Sequence, residues 1–126
     1  MNCITWQIRC ALLPIPLIFQ CYINQPAKYM MLEIKPVCEN CGKMLPNNSS
    51  EAMICTFECT FCKDCVDKIL FNVCPNCGGG FEKRPVRPHH LLAKYPVGET
   101  KLIKPVDPGK FKVLLEKYKA VNPADR

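Results

Sequence analysis

The sequence predicts a small metal-stabilised α+β domain, and three observations carry that expectation. Eight of the 11 cysteines lie between residues 38 and 77 in four close pairs. The 46 residues from Cys38 to Lys83 hold few large apolar side chains, too few for a core to stabilise a unit of that size unaided. Within that block one window reads as a strand and another as a short helix. Apolar residues make up 48% of the 126-residue chain, which argues against a disordered one. No apolar run approaches the ~18 residues that span a bilayer.

Residues 1–30 contain Cys3, Cys10 and Cys21 at irregular spacing and no acidic residue. The run from Ala11 to Phe19 is apolar but broken by Pro14 and Pro16, which a helix would not tolerate. Arg9 ahead of the run imitates a secretory n-region. However, Gln20-Cys21-Tyr22-Ile23 has the wrong side-chain sizes for a cleavage site. We read the segment as an extension outside the fold: upstream sequence ahead of a start at Met31, in preference to a targeting segment.

Residues 31–83 form the expected two-zinc, Cys-rich domain. Ala52-Met53-Ile54-Cys55-Thr56-Phe57 suits a strand of a short hairpin. Lys63 to Leu70 suits one short helix burying Val66, Ile69 and Leu70. Across residues 84–108, Pro85, Pro88, Pro96, Pro105 and Pro108 exclude a long helix or central strand and predict an extended linker. Residues 109–126 read as an amphipathic helix and tail, separate from the Cys-rich domain. Phe111, Leu114, Leu115 and Tyr118 recur at helical spacing, with Lys110, Lys112, Lys117 and Lys119 on the remaining surface. Asp107 is the expected N-cap and Pro108 the first helical residue.

The paired cysteines run Cys38-x2-Cys41-x13-Cys55-x3-Cys59-x2-Cys62-x2-Cys65-x8-Cys74-x2-Cys77. Eight thiolates fill two tetrahedral S₄ sites, a donor set that selects Zn²⁺ and less often iron. Two pairs read C-x-x-C-G, Cys38 to Gly42 and Cys74 to Gly78. A glycine there can take positive φ and turn backbone N–H groups toward the sulfurs. Four disulfides are the alternative, but a pair two residues apart seldom forms a relaxed one, and no usable secretory signal precedes the block. A thioredoxin-like redox site needs one such pair, not four. The cysteines before residue 31 are left out on spacing. Each structural zinc adds on the order of 10 kcal/mol of folding free energy, so two Zn²⁺ are the expected cofactors and main stabilisers. The expected compartment is cytoplasmic.

The order of pairs resembles the RING finger, in which eight ligands hold two zincs in an interleaved cross-brace. The resemblance implies one site of Cys38, Cys41, Cys62 and Cys65 and a second of Cys55, Cys59, Cys74 and Cys77. The Cys-Pro-x-Cys of the last pair is typical of that family; Cys59 departs from it, since most members carry histidine there. From the residues alone, two successive zinc ribbons with neighbouring pairs stay open as an alternative. A closer resemblance covers residues 31 to about 95. Met-Leu-Glu-Ile-Lys-Pro-Val-Cys-Glu-Asn-Cys (31–41), Ile-Cys-Thr-Phe-Glu-Cys-Thr-Phe-Cys (54–62), Cys-Pro-Asn-Cys-Gly-Gly (74–79) and Arg-Pro-Val-Arg-Pro (84–88) are similar to a bacterial domain-of-unknown-function family of short Cys-rich proteins. Members usually start at the Met-Leu-Glu. The resemblance implies a family and no function.

The formal charge of +6 suggests a nucleic-acid partner, but it counts every cysteine as neutral. Each S₄ zinc site carries about −2, so two of them bring the loaded protein to about +2. Closed Cys₄ sites leave no position for water or substrate, and the expectation is that the protein is not an enzyme. His89 and His90 are adjacent and belong to a solvated linker; Glu58, Asp64 and Asp67 read as surface charges. A structural zinc module that binds another protein through its knuckles and central groove is the leading reading. Nucleic-acid binding through Lys83, Arg84, Arg87 and the lysine-rich tail is the alternative, although no aromatics suited to base stacking are interleaved with them. Ubiquitin-ligase activity follows from fold analogy only. It is disfavoured because Glu39-Asn40 and Gly78 stand where those ligases carry an apolar and a basic residue.

Overall fold

Strand β1 (Ala52–Ile54) places Ala52 inward and covers only the first half of the strand expected over 52–57, because a tight turn begins at Cys55. The turn is closed by Cys55 N–H donating to Cys59 O (3.2 Å) and Glu58 N–H donating to Cys55 O (3.0 Å). Glu58 takes φ 63° to make it. Strand β2 (Thr60–Cys62) returns antiparallel with Met53 opposite Phe61, and all three of its residues are buried. A two-residue strand, β3 (Glu82–Lys83), adds to the free edge of β1, giving the order β2-β1-β3. The computed structural model describes residues 31–126, so the expectation for residues 1–30 lies outside the described residues.

Helix α1 (Lys63–Cys65) leaves β2 directly and continues as a π-helical turn, Val66–Leu70. Phe71 (φ 47°) and Asn72 (φ 59°) end it in the left-handed region. Val66 and Leu70 are buried as expected, but Ile69 is 46% exposed. The difference comes from winding. The N–H of Phe71 bonds Val66 O, an i→i+5 closure that adds a residue to the turn and rotates Ile69 off the buried face.

Residues 84–108 are extended in large part, as the prolines require, and although mostly exposed they are tied to the domain by hydrogen bonds. Gly98 N–H donates to Ile34 O at 2.9 Å, and Asn47 pairs with the Arg87 backbone as both donor and acceptor at 2.9 Å. The Arg87 guanidinium donates to Leu32 O and, at 2.9 Å, to Tyr95 O. His89 and His90, expected in extended chain, open a 3₁₀ turn (His89–Leu91) and are exposed. Helix α2 (Pro108–Tyr118) starts where predicted, with the Asp107 carboxylate accepting from Gly109 N–H (2.9 Å) and Lys110 N–H (3.3 Å). It is not separate. Residues 32–126 form one compact unit, and Phe111 is 7% exposed within the core. An apolar stripe of that width is more stable covered than solvated, and the Cys-rich domain supplies the cover.

The core joins Leu45, Ala52, Phe61, Val66, Leu70, Val73, Phe81 and Phe111 to the buried cysteines. Phe61 and Phe81 meet edge to face, centroids 5.5 Å apart. Arg84, 1% exposed, is the largest fully buried side chain. Its guanidinium faces backbone carbonyls: Lys35 O (2.7 Å), Leu45 O (2.9 Å) and Pro46 O (2.7 Å). Burial lowers its pKa, and the three carbonyl dipoles hold the charge in place. Replacing Arg84→Ala should destabilise the fold by about 3 kcal/mol, because it leaves those carbonyls unpaired. Arg84→Lys should restore only part of that, since one ammonium cannot match the planar fork. Denaturant unfolding of the purified variants measures both.

Candidate metal centre

Four segments bring the cysteines together. The first knuckle, Cys38 to Lys43, is bracketed by an antiparallel bridge between Val37 and Met44. Within it, Cys38 N–H donates to Lys43 O (2.8 Å) and Gly42 N–H to Cys38 O (3.0 Å), with Gly42 at φ 75°. The knuckle at Cys74 repeats this plan: Cys74 N–H donates to Gly79 O (2.8 Å), Gly78 N–H to Cys74 O (2.8 Å), and Gly78 has φ 76°. The glycine expectation from C-x-x-C-G is met at both. The other two pairs come from the β1–β2 turn (Cys55, Cys59) and from the junction of β2 with α1 (Cys62, Cys65).

The sulfurs of Cys38, Cys41, Cys62 and Cys65 all lie within 4.8 Å of one another. Two edges are 3.8 Å (Cys38–Cys65) and 3.7 Å (Cys41–Cys62). A tetrahedron with bonds of ~2.3 Å has edges of about 3.8 Å, so the donor set fits a single ion. The separations are far from a disulfide, and all eight cysteines are free. A second set unites Cys55, Cys59 and Cys74. Cys77, expected as its fourth member, does not fall within that distance. It is exposed, and its sulfur accepts from Gly79 N–H at 3.4 Å. Cys41 is exposed too, in the equivalent place of the first knuckle.

Burial sets most of the thiol chemistry. It pushes Cys59, Cys62, Cys65 and Cys74 above the usual thiol pKa, against opposing hydrogen bonds. At Cys38 burial also acts upward, but the backbone N–H groups of Cys41, Cys62 and Asn40 outweigh it, and the pKa is lowered. Two side-chain donors were not singled out from sequence. Asn40 donates its amide to Cys65 Sγ at 3.3 Å, and Asn76 donates to Cys59 Sγ at 3.3 Å. Each sits third in its knuckle and reaches across to a sulfur of the other pair in its set. The shared pattern C-x-N-C-G was the available signal. Glu39 adds a further tie: its buried carboxylate accepts from Thr60 N–H and from Lys35 Nζ (3.3 Å).

Two of the alternative basic residues are committed elsewhere, while Lys83 and the tail lysines are exposed. Arg84 is buried and Arg87 is spent on carbonyls, so neither is free for phosphate. Asp64 and Asp67 pair with Lys68 and Lys63 on the exposed face of the helix, as expected of surface charges. Glu58 accepts from Glu33 N–H at 3.2 Å. His89 and His90 belong to no metal-holding group among the described residues. Among those residues, too, no helix is long and apolar enough to cross a membrane.

Fold and site together define a small α+β domain built on two interleaved cysteine clusters close enough to hold metal. Residues 31–87 match the family described as "Protein of unknown function (DUF1272)", and the chain belongs to that family. An uncharacterized protein of Rhizobium meliloti (strain 1021) is 52% identical over 75 residues, which cover 60% of this chain and 89% of that protein. No solved structure matches the chain.

Exposure orders the reactivity of the thiols. With limiting maleimide under native conditions, Cys41 and Cys77 should be alkylated first, and Cys38 and Cys74, both 0% exposed, last. Peptide mass spectrometry over a time course reads the order.

Proposed function

We propose that the protein is a structural zinc module with two Zn²⁺ in a RING-like cross-brace, serving protein–protein contact in the cytoplasm rather than catalysis. The observation that carries this reading is the meeting of the first and third cysteine pairs within 4.8 Å. Sequential ribbons would instead join neighbouring pairs. Cys38, Cys41, Cys62 and Cys65 would hold one ion; Cys55, Cys59, Cys74 and Cys77 would hold the other. The repeated knuckle plan supports Cys77 as the fourth ligand, because Cys41 does the same job from the same position. Zinc suits an all-thiolate tetrahedron, and a closed site of that kind leaves no position for a reacting water.

Metal analysis of protein purified without added zinc should give about two equivalents. One equivalent, or native disulfides among the eight thiols, would end the reading. In cadmium-substituted protein, one metal should couple to the cysteine protons of both Cys41 and Cys62. Coupling of one metal to both Cys62 and Cys74 would refute the cross-brace. The raised thiol pKa values fix the sign of the pH dependence. Cys59, Cys62, Cys65 and Cys74, raised by burial, are protonated at neutral pH without metal, so loading must release protons and affinity must rise with pH. Acidification should drive the metal off, which a chromophoric chelator follows directly.

A further inference from the structure

The C-terminal segment is attached to the knuckles in an unusual way. Lys104 N–H donates to Glu39 O at 2.6 Å, and Val106 N–H donates to Asn40 Oδ1 at 2.9 Å. Ile103 lies over Gly42 so closely that a Cβ there would stand 3.0 Å from its Cδ1. These are contacts to the first knuckle. Further on, Tyr118 and Leu114 cover Gly78, where a Cβ would come within 2.9 Å of the Tyr118 ring. Pro123 covers Gly80 in the same manner, and Arg126 donates to Gly78 O (3.1 Å) and Asn72 O (2.7 Å). These are contacts to the second knuckle. One segment therefore spans two knuckles that belong to different thiol sets.

The Asn40 amide joins the two systems. Its Nδ2 donates to Cys65 Sγ while its Oδ1 accepts from Val106 N–H, so one planar group touches a ligand sulfur and the strap at once. Beside the strap lies a half-open groove of about 350 Å³, lined among others by Glu39, Phe61, Asn76, Val106 and Phe111.

We propose that residues 103–126 act as a metal-dependent clamp, seated across the knuckles when both thiol sets hold their ions, with Asn40 as the positioning residue that couples the first set to the strap. The proposal rests on the two-metal reading above. A knuckle with a positive-φ glycine keeps its shape because its cysteines converge on an ion; without that ion the seats for Ile103, Val106 and Tyr118 lose their cause. Release uncovers the knuckle face and presents the Phe111, Leu114, Leu115 and Tyr118 stripe of α2, flanked by lysines. Coupling is reciprocal: if metal seats the clamp, unseating the clamp must weaken metal.

The test uses the full chain and Zn²⁺ alone. Val106→Pro removes the strap N–H that Asn40 Oδ1 accepts while leaving every cysteine and the Asn40 side chain in the sequence, whereas Val106→Ala keeps that N–H and serves as the control. Competition with a chromophoric chelator should show Val106→Pro binding its weaker metal about tenfold less tightly than wild type, with Val106→Ala unchanged. Trypsin should cut at Lys112, Lys117 and Lys119 faster in the zinc-loaded Val106→Pro protein, while residues 32–83 stay protected. Asn40→Ala should weaken metal as well, and the double variant should be no weaker than Asn40→Ala alone. Unchanged metal affinity in Val106→Pro, or strictly additive losses, would overturn the clamp. Failure of the wild type to bind two equivalents would instead overturn the metal reading, and the same titration separates the two.

Discussion

Everything in this molecule depends on thiols far apart in sequence meeting at one point. Cys38 reaches Cys65 across 27 positions, and Cys41 reaches Cys62 across 21. Strand β2 lies between this cluster and the second one, with Cys59 of the second just before it and Cys62 of the first at its end. Fixing both clusters therefore fixes the length, the register and the burial of that strand. The β1 pairing follows, because Ala52 must then face Cys62. A three-residue strand pair would be marginal by itself, and here it inherits its order from the sulfurs at its ends.

A cluster of four thiolates is a concentration of negative charge in a partly buried place, and the surroundings are built to share it. Backbone N–H groups of the knuckles turn toward Cys38, and side-chain amides reach Cys65 and Cys59. These donors also set direction. An amide that must serve a sulfur cannot rotate freely, so Asn40 holds a fixed orientation and offers its oxygen to Val106. Charge neutralisation at the centre thereby becomes orientation at the surface.

Local features were legible in the sequence wherever one residue type has one use. The glycines after each knuckle and the Asp107-Pro108 helix start appear where the residues put them, whereas the strand expected over 52–57 covers only Ala52–Ile54 because Cys55 opens a turn. Cysteine spacing alone left cross-brace and ribbon open, since pairing is a property of the folded chain. The helix after Cys62 was legible in position but not in winding, and Ile69 faces out as a result. The prolines of residues 84–108 correctly excluded a long helix or central strand. They carried no sign that the remaining N–H groups and two arginines would bind the domain, because a buried arginine looks like a surface one until its carbonyl partners are known. Asn40 and Asn76 were visible only as a repeat.

Arg84 and Arg87 lie beyond the last cysteine, yet between them they bind Leu32, Lys35, Leu45 and Pro46. They act as rivets that close the chain onto its own beginning. A fragment cut after Cys77 would keep all eight paired cysteines and still leave the 32–46 region without its fastening. A piece that keeps this fastening must reach past the cysteines to Arg87, and the family match, which ends at residue 87, contains both arginines.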